Sequence, residues 1–450
     1  MFCRFAFLLL TVFITLEGAS PKKVTVLGTG YVGLVLGGCL SELGHSVLCA
    51  DIDEKKIANL KKGFIPIYEP GLSEIVSKNY HAKRLDFTSN IAEAIRSSDV
   101  IFVAVGTPTL EDGSADISAL VKVADVIAHN LNANKLICIR STIPVGTTKK
   151  IKDQIACKDT RFEICFCPEF LREGSAVYDF FHGDRFVIGS ESVLAKEMIE
   201  EVFSDLFNAM PVLNCNFETA EAIKYASNAF LAAKISFINE FAHFCQATGA
   251  DVALVAQGMG FDKRIGHDFL KPGPGYGGSC FPKDTLAIVQ QAHEKGLDLR
   301  VIQAAINANE VQKQKMVDKL EKLCTTLHGK KIAVLGLAFK ANTDDVRYSP
   351  AITIIQEIKA RGGHITAYDP LANSNMKLNL PDISYVSSYE EAVKGADALI
   401  VLTEWDEFKK IDLLKISQLM KSPVLLDARN LYSPKDLVAA GFLYDNLGRN

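Results

Sequence analysis

Short unbroken apolar runs alternate with longer stretches in which apolar side chains return every third or fourth position. Val24–Leu27, His45–Ala50, Val100–Val105, Leu136–Ile139, Ile164–Cys167 and Phe186–Ile188 are the first such runs. Their brevity and their Val, Ile and Phe content suit buried strands, and the intervening period suits helices packed on them. Strand–helix alternation of this kind predicts a parallel sheet covered on both faces. The pattern changes at 218–248, where neither Gly nor Pro occurs and Ala, Leu, Ile and Phe recur at helical spacing. One long helix with broad apolar faces is expected there, either joining two domains or forming a dimer core. A Gly/Pro-rich segment at 271–284 reads as a loop, and helical sequence resumes to about His328. A second strand–turn–helix series opens at Lys331–Gly336 and continues through 365–369, 398–402 and 424–426.

The first run leads into Gly28-Thr29-Gly30-Tyr31-Val32-Gly33, then a helical stretch that Gly44 ends, then a strand closing on Asp51. This is a dinucleotide fingerprint: the first glycine makes the tight turn, the second admits pyrophosphate, and the third lets helix and strand approach. The helix N-terminus holds the anion. Asp51, eighteen residues beyond Gly33, is placed to accept from ribose hydroxyls and to repel a 2′-phosphate, which favours NAD over NADP. Asp53 is the alternative acceptor, and Lys56 is either a ribose or phosphate contact or a solvated helix lysine. The second series carries Gly336-Leu337-Ala338-Phe339 instead, a poor fingerprint that the same geometry could still use for a nucleotide-bearing substrate. The expected fold is α/β, with two Rossmann-like doubly wound domains (21–213 and 329–450) joined by a central helical, dimerising region with the cysteine loop (214–328).

Composition narrows the class. Lys and Arg number 49 against 53 Asp and Glu, a net charge of −4, which argues against a general nucleic-acid binder. Apolar residues at 48% and charged residues at 23% exclude disorder, collagen and coiled coil for the chain as a whole. No run approaches the roughly 20 apolar residues of a membrane span. Residues 1–20 stand apart: Arg4 precedes an uncharged stretch from Phe5 to Leu16, which is signal-like. A cut after Ala19 would leave Glu17 at the −3 position, so this segment is either signal-like or a spurious extension. Eleven cysteines form no framework, and Cys165 and Cys167 lack the spacing of a zinc site, so reduced thiols and no metal are expected.

Cys280 sits in the glycine-rich loop with Lys283 and Asp284 close behind. Lysine stabilises a thiolate, the reactive form of cysteine. A thiolate beside an NAD site points to oxidation at the aldehyde level, through a thioester. Lys224 and Asn228, i and i+4 on the long helix, share a face and make an oxyanion clamp. Glu169 and Glu173 are candidates for general base, and Thr142 is a further polar candidate.

The stretches 28–34, Tyr68-Glu-Pro-Gly-Leu72, Pro168-Glu-Phe-Leu-Arg-Glu-Gly174, 224–231, 273–284 and 339–347 together resemble the UDP-glucose/GDP-mannose dehydrogenase family. The wording around Cys280 is most similar to its UDP-glucose branch; GDP-mannose or UDP-N-acetylmannosamine branches are the alternative. The resemblance covers about Lys22 to Arg449. It implies two oxidations of a C6 alcohol using two NAD, with Cys280 holding a thiohemiacetal and then a thioester. It assigns proton transfers to Asp284 with a water and Lys224, oxyanion stabilisation to Lys224 and Asn228, and thioester hydrolysis to Glu169. Thr142 and Glu173 would line the nicotinamide and sugar side. Tyr31, Val32, Lys56, Thr107, Lys283 and Arg347 would join the cofactor site. Phe170, Leu171, Lys271, Tyr276, Gly277, Phe339, Lys340 and Arg429 would contact the nucleotide sugar, and Arg264 would reach a neighbouring subunit's site. UDP-glucose is the implied partner, in a homodimer or larger homo-oligomer with no nucleic acid or stable membrane partner. Soluble substrates place such an enzyme in the cytoplasm, with export or a weak membrane tether as the alternative that residues 1–20 raise. Arg140 and Tyr348 depart from the family's usual Lys and Glu.

Overall fold

A computed structural model describes residues 20–156, 161–207 and 210–449; the signal-like segment, Ser20 apart, lies outside them. The apolar runs become strands: β1 (Lys23–Leu27), β2 (Ser46–Ala50), β3 (Leu85–Thr88), β4 (Val100–Val103), β5 (Leu136–Ile139), β6 (Glu163–Phe166), β7 (Phe186–Gly189) and β8 (Val212–Cys215). They form one sheet in the order β3-β2-β1-β4-β5-β6-β7-β8. Neighbours are parallel except β6 and β7, which meet at Phe166 and Gly189 in the antiparallel sense. The all-parallel expectation fails there because the connection lacks a long crossover helix. Its residues go into the Pro168–Gly174 loop and the short helix Ala176–Phe181, whereas a parallel crossover generally needs a full helix.

The second series gives β9 (Lys331–Leu335), β10 (His364–Tyr368), β11 (Ser384–Tyr385), β12 (Ala398–Val401), β13 (Val424–Asp427) and β14 (Leu443–Asn446), ordered β11-β10-β9-β12-β13-β14. All its pairs are parallel.

Between the sheets runs the helix Phe217–Thr248. Asn216 caps its start by accepting from the Thr219 amide, and Gly249, at φ 80°, ends it in the left-handed region. Its first turn buries Phe217 and Ala220 in the core of the first domain. Its last turns bury Ile238, Ala242 and Cys245 in the core of the third. Each large apolar side chain so buried contributes about 1.5–3 kcal/mol, so one rigid rod is anchored at both ends. Phe230, Phe237 and Phe244 stay 68%, 48% and 58% exposed at seven-residue spacing along the same helix. Among the described residues no helix is long and apolar enough to cross a membrane.

Candidate active site

The cofactor turn is shaped by its glycines. Gly28 has φ +100°, and a Cβ there would lie 2.7 Å from the Ala104 carbonyl oxygen. A Cβ on Gly33 would overlap the Gly28 carbonyl, whereas one on Gly30 would meet nothing within 4 Å. The middle glycine therefore faces open space. The helix Tyr31–Glu42 that follows, with Val32 in its first turn, has no side-chain cap, so its leading amides are free for an anion. At the end of β2, Asp51 accepts from the Thr29 amide (2.9 Å), the Thr29 hydroxyl (2.7 Å) and the Lys56 ammonium (2.9 Å). Burial opposes its ionisation, but the Thr29 and Lys56 bonds outweigh burial and hold it at about 2. Asp53 instead caps the helix Glu54–Lys61. Thr107 donates to the Thr142 carbonyl (2.8 Å), tying together the loops that leave β4 and β5 at the edge where open α/β sheets bind ligands. An open glycine turn, uncapped amides and an ionised strand-end acid together fit a dinucleotide.

Tyr31 has a partner within the chain. Its hydroxyl is bonded to Glu69, and Glu69 also accepts from the amides of Gly174 (2.7 Å) and Ala176 (2.8 Å). Burial, reinforced by Glu69, pushes the phenol up. Glu69 thus fastens the cofactor helix to the loop that carries Glu169 and Glu173; the reading of the residues passed over it, although its motif was in view.

The cysteine loop stops earlier than its composition suggests. The helix Phe281–Glu294 begins directly after Cys280, with Pro282 in its first turn, a position proline favours. Cys280 is the residue at the helix head, and Lys283 and Asp284 lie on the helix. The loop before it is clamped by buried amides that the residues alone did not flag. Asn239 accepts from the Gly273 amide (2.8 Å), Gln312 donates to the Gly273 carbonyl (2.8 Å), and Asn309 accepts from the Tyr276 amide (2.7 Å). A Cβ on Gly277 would lie 2.3 Å from the Tyr348 carbonyl oxygen, so only glycine fits there.

Behind Cys280 lies a buried polar cluster. Lys224 donates to the Glu169 carbonyl (2.6 Å) and carboxylate (3.0 Å), and Asn228 donates to Asp284 (2.6 Å). Burial opposes both charges of the Lys224–Glu169 pair, but their mutual attraction prevails: the ammonium is raised and the carboxyl lowered. Lys224 and Asn228 each keep N–H groups beyond those bonds, which is what an oxyanion needs. Lys283 is ion-paired with Asp284 at 2.5 Å. Burial pushes the Cys280 thiol up to about 11; Lys224 opposes this more than Lys283 does, and Glu169 and Asp284 add to it. Lys283 favours the thiolate, as expected, but less than Lys224 does, and burial outweighs both.

Glu173 accepts from Ser279 (2.6 Å) and pairs with Arg347 (3.3 Å). Burial and the neighbouring Asp345 raise it to about 7. The cluster opens on a cleft of about 1010 Å³. Glu169, Phe170, Leu171, Lys224, Asn228, Lys271, Tyr276, Gly277, Phe339, Lys340 and Arg429 all line it. The Lys340 ammonium lies 5.6 Å from the Phe339 ring, and Arg429 donates to the Phe339 carbonyl (3.2 Å). Arg264, with 88% of its side chain exposed and paired with Asp262, lies outside its own chain's cleft.

The NAD binding, central and UDP binding domains of the UDP-glucose/GDP-mannose dehydrogenase family match residues 22–207, 218–311 and 333–434 in order. The chain belongs to that family. It is 49% identical over 432 residues to the UDP-glucose 6-dehydrogenase TuaD of Bacillus subtilis, covering 95% of this chain and 93% of the relative. It is 44% identical to the UDP-glucose 6-dehydrogenase of Rhizobium meliloti, covering 95% and 99%. A UDP-glucose dehydrogenase from Pyrobaculum islandicum superposes with TM-score 0.90 at 34% identity, over 96% of this chain and 99% of that one. A UDP-D-ManNAc dehydrogenase from Pyrococcus horikoshii gives 0.84 at 27% identity, over 95% and 99%. The protein is thus an NAD-dependent oxidoreductase of this family, its first sheet carrying the NAD domain and its second the UDP domain.

Proposed function

We propose that the protein oxidises the C6 alcohol of UDP-glucose to the carboxylate of UDP-glucuronate in two steps at one cysteine. The observation that carries this is that Cys280, Lys224, Asn228 and Glu169 line one cleft, with Asp284 buried behind them and accepting from Asn228. NAD bound at the turn formed by Gly28, Gly30 and Gly33 would supply the hydride acceptor, a fresh molecule for each oxidation. Asp284, through a water, takes up the proton that the alcohol loses, while the Lys224 ammonium stabilises the oxygen it leaves. The Cys280 thiol then adds to the aldehyde, its sulfur bonding to carbon while a proton reaches the oxygen. The spare N–H groups of Lys224 and Asn228 stabilise that oxygen as charge develops on it. After the second oxidation the substrate is a thioester on Cys280. Glu169 takes a proton from the attacking water, and C–S cleavage returns the thiol and releases the acid. Holding the aldehyde on sulfur explains how one site reaches the acid without releasing it.

The exposed phenylalanines of the long helix, with Leu254 and Phe261 beside them at 66% and 70% exposure, support a homodimer built on this face. Arg264 follows Phe261 closely, which suits a side chain directed at a neighbour's cleft. The soluble cofactor and sugar nucleotide support a cytoplasmic protein.

The test is NADH formed per sugar consumed, with limiting UDP-glucose and excess NAD. Two NADH per UDP-glucose, lost in Cys280→Ala, is expected. One NADH would end the thioester reading. Turnover only with UDP-N-acetylmannosamine or GDP-mannose would move the protein to a sibling branch with the same chemistry.

A further inference from the structure

A second thiol cluster lies outside the reaction. Cys138 on β5 and Cys165 on β6 are register partners, and Cys167 follows two positions on. Alternation along the strands puts all three on one face of the sheet. Each is fully buried, their sulfurs lie within 4.8 Å of one another, and no other His, Cys, Asp or Glu among the described residues joins them. The Cys165 and Cys167 sulfurs are 3.7 Å apart. Buried cysteines are ordinarily small hydrophobes, but these three have a charged neighbour. Arg140, two positions beyond Cys138 on the same face, is 5% exposed. Its guanidinium carbon lies 6.0 Å from the Phe186 and Phe203 rings, its Nη1 donates to the Pro168 carbonyl (3.5 Å) and it stabilises the Glu169 carboxylate, but its Nε is buried with no hydrogen-bond partner among the described residues. A buried cation with an unmet donor beside three soft ligands calls for negative charge on the sulfurs.

We propose that Cys138, Cys165 and Cys167 form a three-sulfur site for copper(I), with Arg140 balancing the thiolates. Metal–sulfur bonds of about 2.3 Å put the sulfurs of a trigonal site about 4 Å apart, within the observed span. Thiolates select soft ions such as copper(I). Structural zinc needs four ligands, and a fourth protein donor is absent from the cluster. Binding releases two protons: two thiolates and one thiol hold the ion, and the two negative charges balance copper(I) and Arg140. The site is electrically neutral in its apolar surroundings. Arg140, Phe186, Phe203 and Met210 also line the cleft, so the ion enters through the cleft wall by displacing Arg140. Spacing along the chain concealed this site because Cys138 arrives from a neighbouring strand.

The full reduced chain is titrated anaerobically with copper(I) against a chromophoric copper(I) chelator. Wild type and Cys280→Ser are expected to withdraw one copper per chain. Cys138→Ser, Cys165→Ser and Cys167→Ser are each expected to bind at least tenfold more weakly. X-ray absorption of the wild-type complex should report three sulfur neighbours. Loss of binding in Cys280→Ser with retention in the other three, nitrogen or oxygen neighbours, equal affinity for zinc(II), or no copper withdrawn would each overturn the proposal. Should the serine variants unfold by circular dichroism, thiol alkylation of partly denatured wild type decides. Copper must shield Cys138, Cys165 and Cys167 more than the equally buried Cys39 and Cys49, and equal shielding overturns the site.

Discussion

Cys280 sits between opposing influences. It heads a helix, whose dipole favours a thiolate, yet its surroundings push the thiol up to about 11. The free enzyme therefore keeps its nucleophile protonated and unreactive toward solutes. Its alkylation by iodoacetamide should rise about tenfold per pH unit well beyond pH 9, because only the thiolate reacts; a plateau by pH 9 would contradict the burial argument. Glu173 tells a similar story for an acid. Its folded value of about 7 lies above the ordinary 4.5, so the folded protein holds a proton that the unfolded chain has already lost. The group's contribution to stability therefore falls as pH rises from about 4.5 to 7, and the cost is complete above that, up to about 3 kcal/mol. Glu173→Gln removes this cost. Thermal melts should show a larger gain for the variant at pH 8 than at pH 5, and an equal gain at both would contradict it.

The long helix shows what sequence patterning carries well. Its freedom from breakers, its Asn216 cap and its Gly249 stop are all local, so its ends could be read within a residue or two. The end of the cysteine loop could not, because Gly and Pro density hid that Pro282 opens a helix. The reversed pairing of β6 with β7 and the fastening role of Glu69 depend on contacts distant in sequence, which no period encodes. The cysteine, lysine and asparagine of the site stood out because their types are rare in such contexts; Asn239, Asn309 and Gln312 did not, because a buried clamp has no pattern of its own. The same helix carries a testable surface. Phe237→Glu with Phe244→Glu puts two charges on the exposed stripe and leaves the buried Ile238, Ala242 and Cys245 in place. Light scattering after size-exclusion chromatography should show the wild-type oligomer falling toward monomer, with the far-ultraviolet dichroism retained. An unchanged mass would overturn a dimer on this face.

The reaction site exists only when the whole chain is folded. Glu169 comes from the first domain, Lys224 and Asn228 from the connecting helix, Cys280 and Asp284 from the clamped loop and its helix, and Phe339, Lys340 and Arg429 from the second sheet's domain. Under the proposed mechanism this division separates binding, oxidation and hydrolysis among different segments, so one step can be disabled without the others. Glu169→Gln is the informative case. A Gln carbonyl still accepts from Lys224, but the ammonium loses its counter-charge and the Gln amide faces the Leu171 N–H, so stability is expected to fall as well and is measured alongside. Cys280 and both oxidations remain, but the base for the attacking water is gone, a loss worth roughly 10²–10⁴ in rate. Rapid mixing with UDP-glucose and NAD should give a burst approaching two NADH per site, then slow turnover. Mass spectrometry of the quenched protein should find the sugar nucleotide on the peptide that contains Cys280. A variant that slows with no burst and no adduct would place Glu169 before the thioester rather than after it, and the hydrolytic role would pass to another group at the cleft wall.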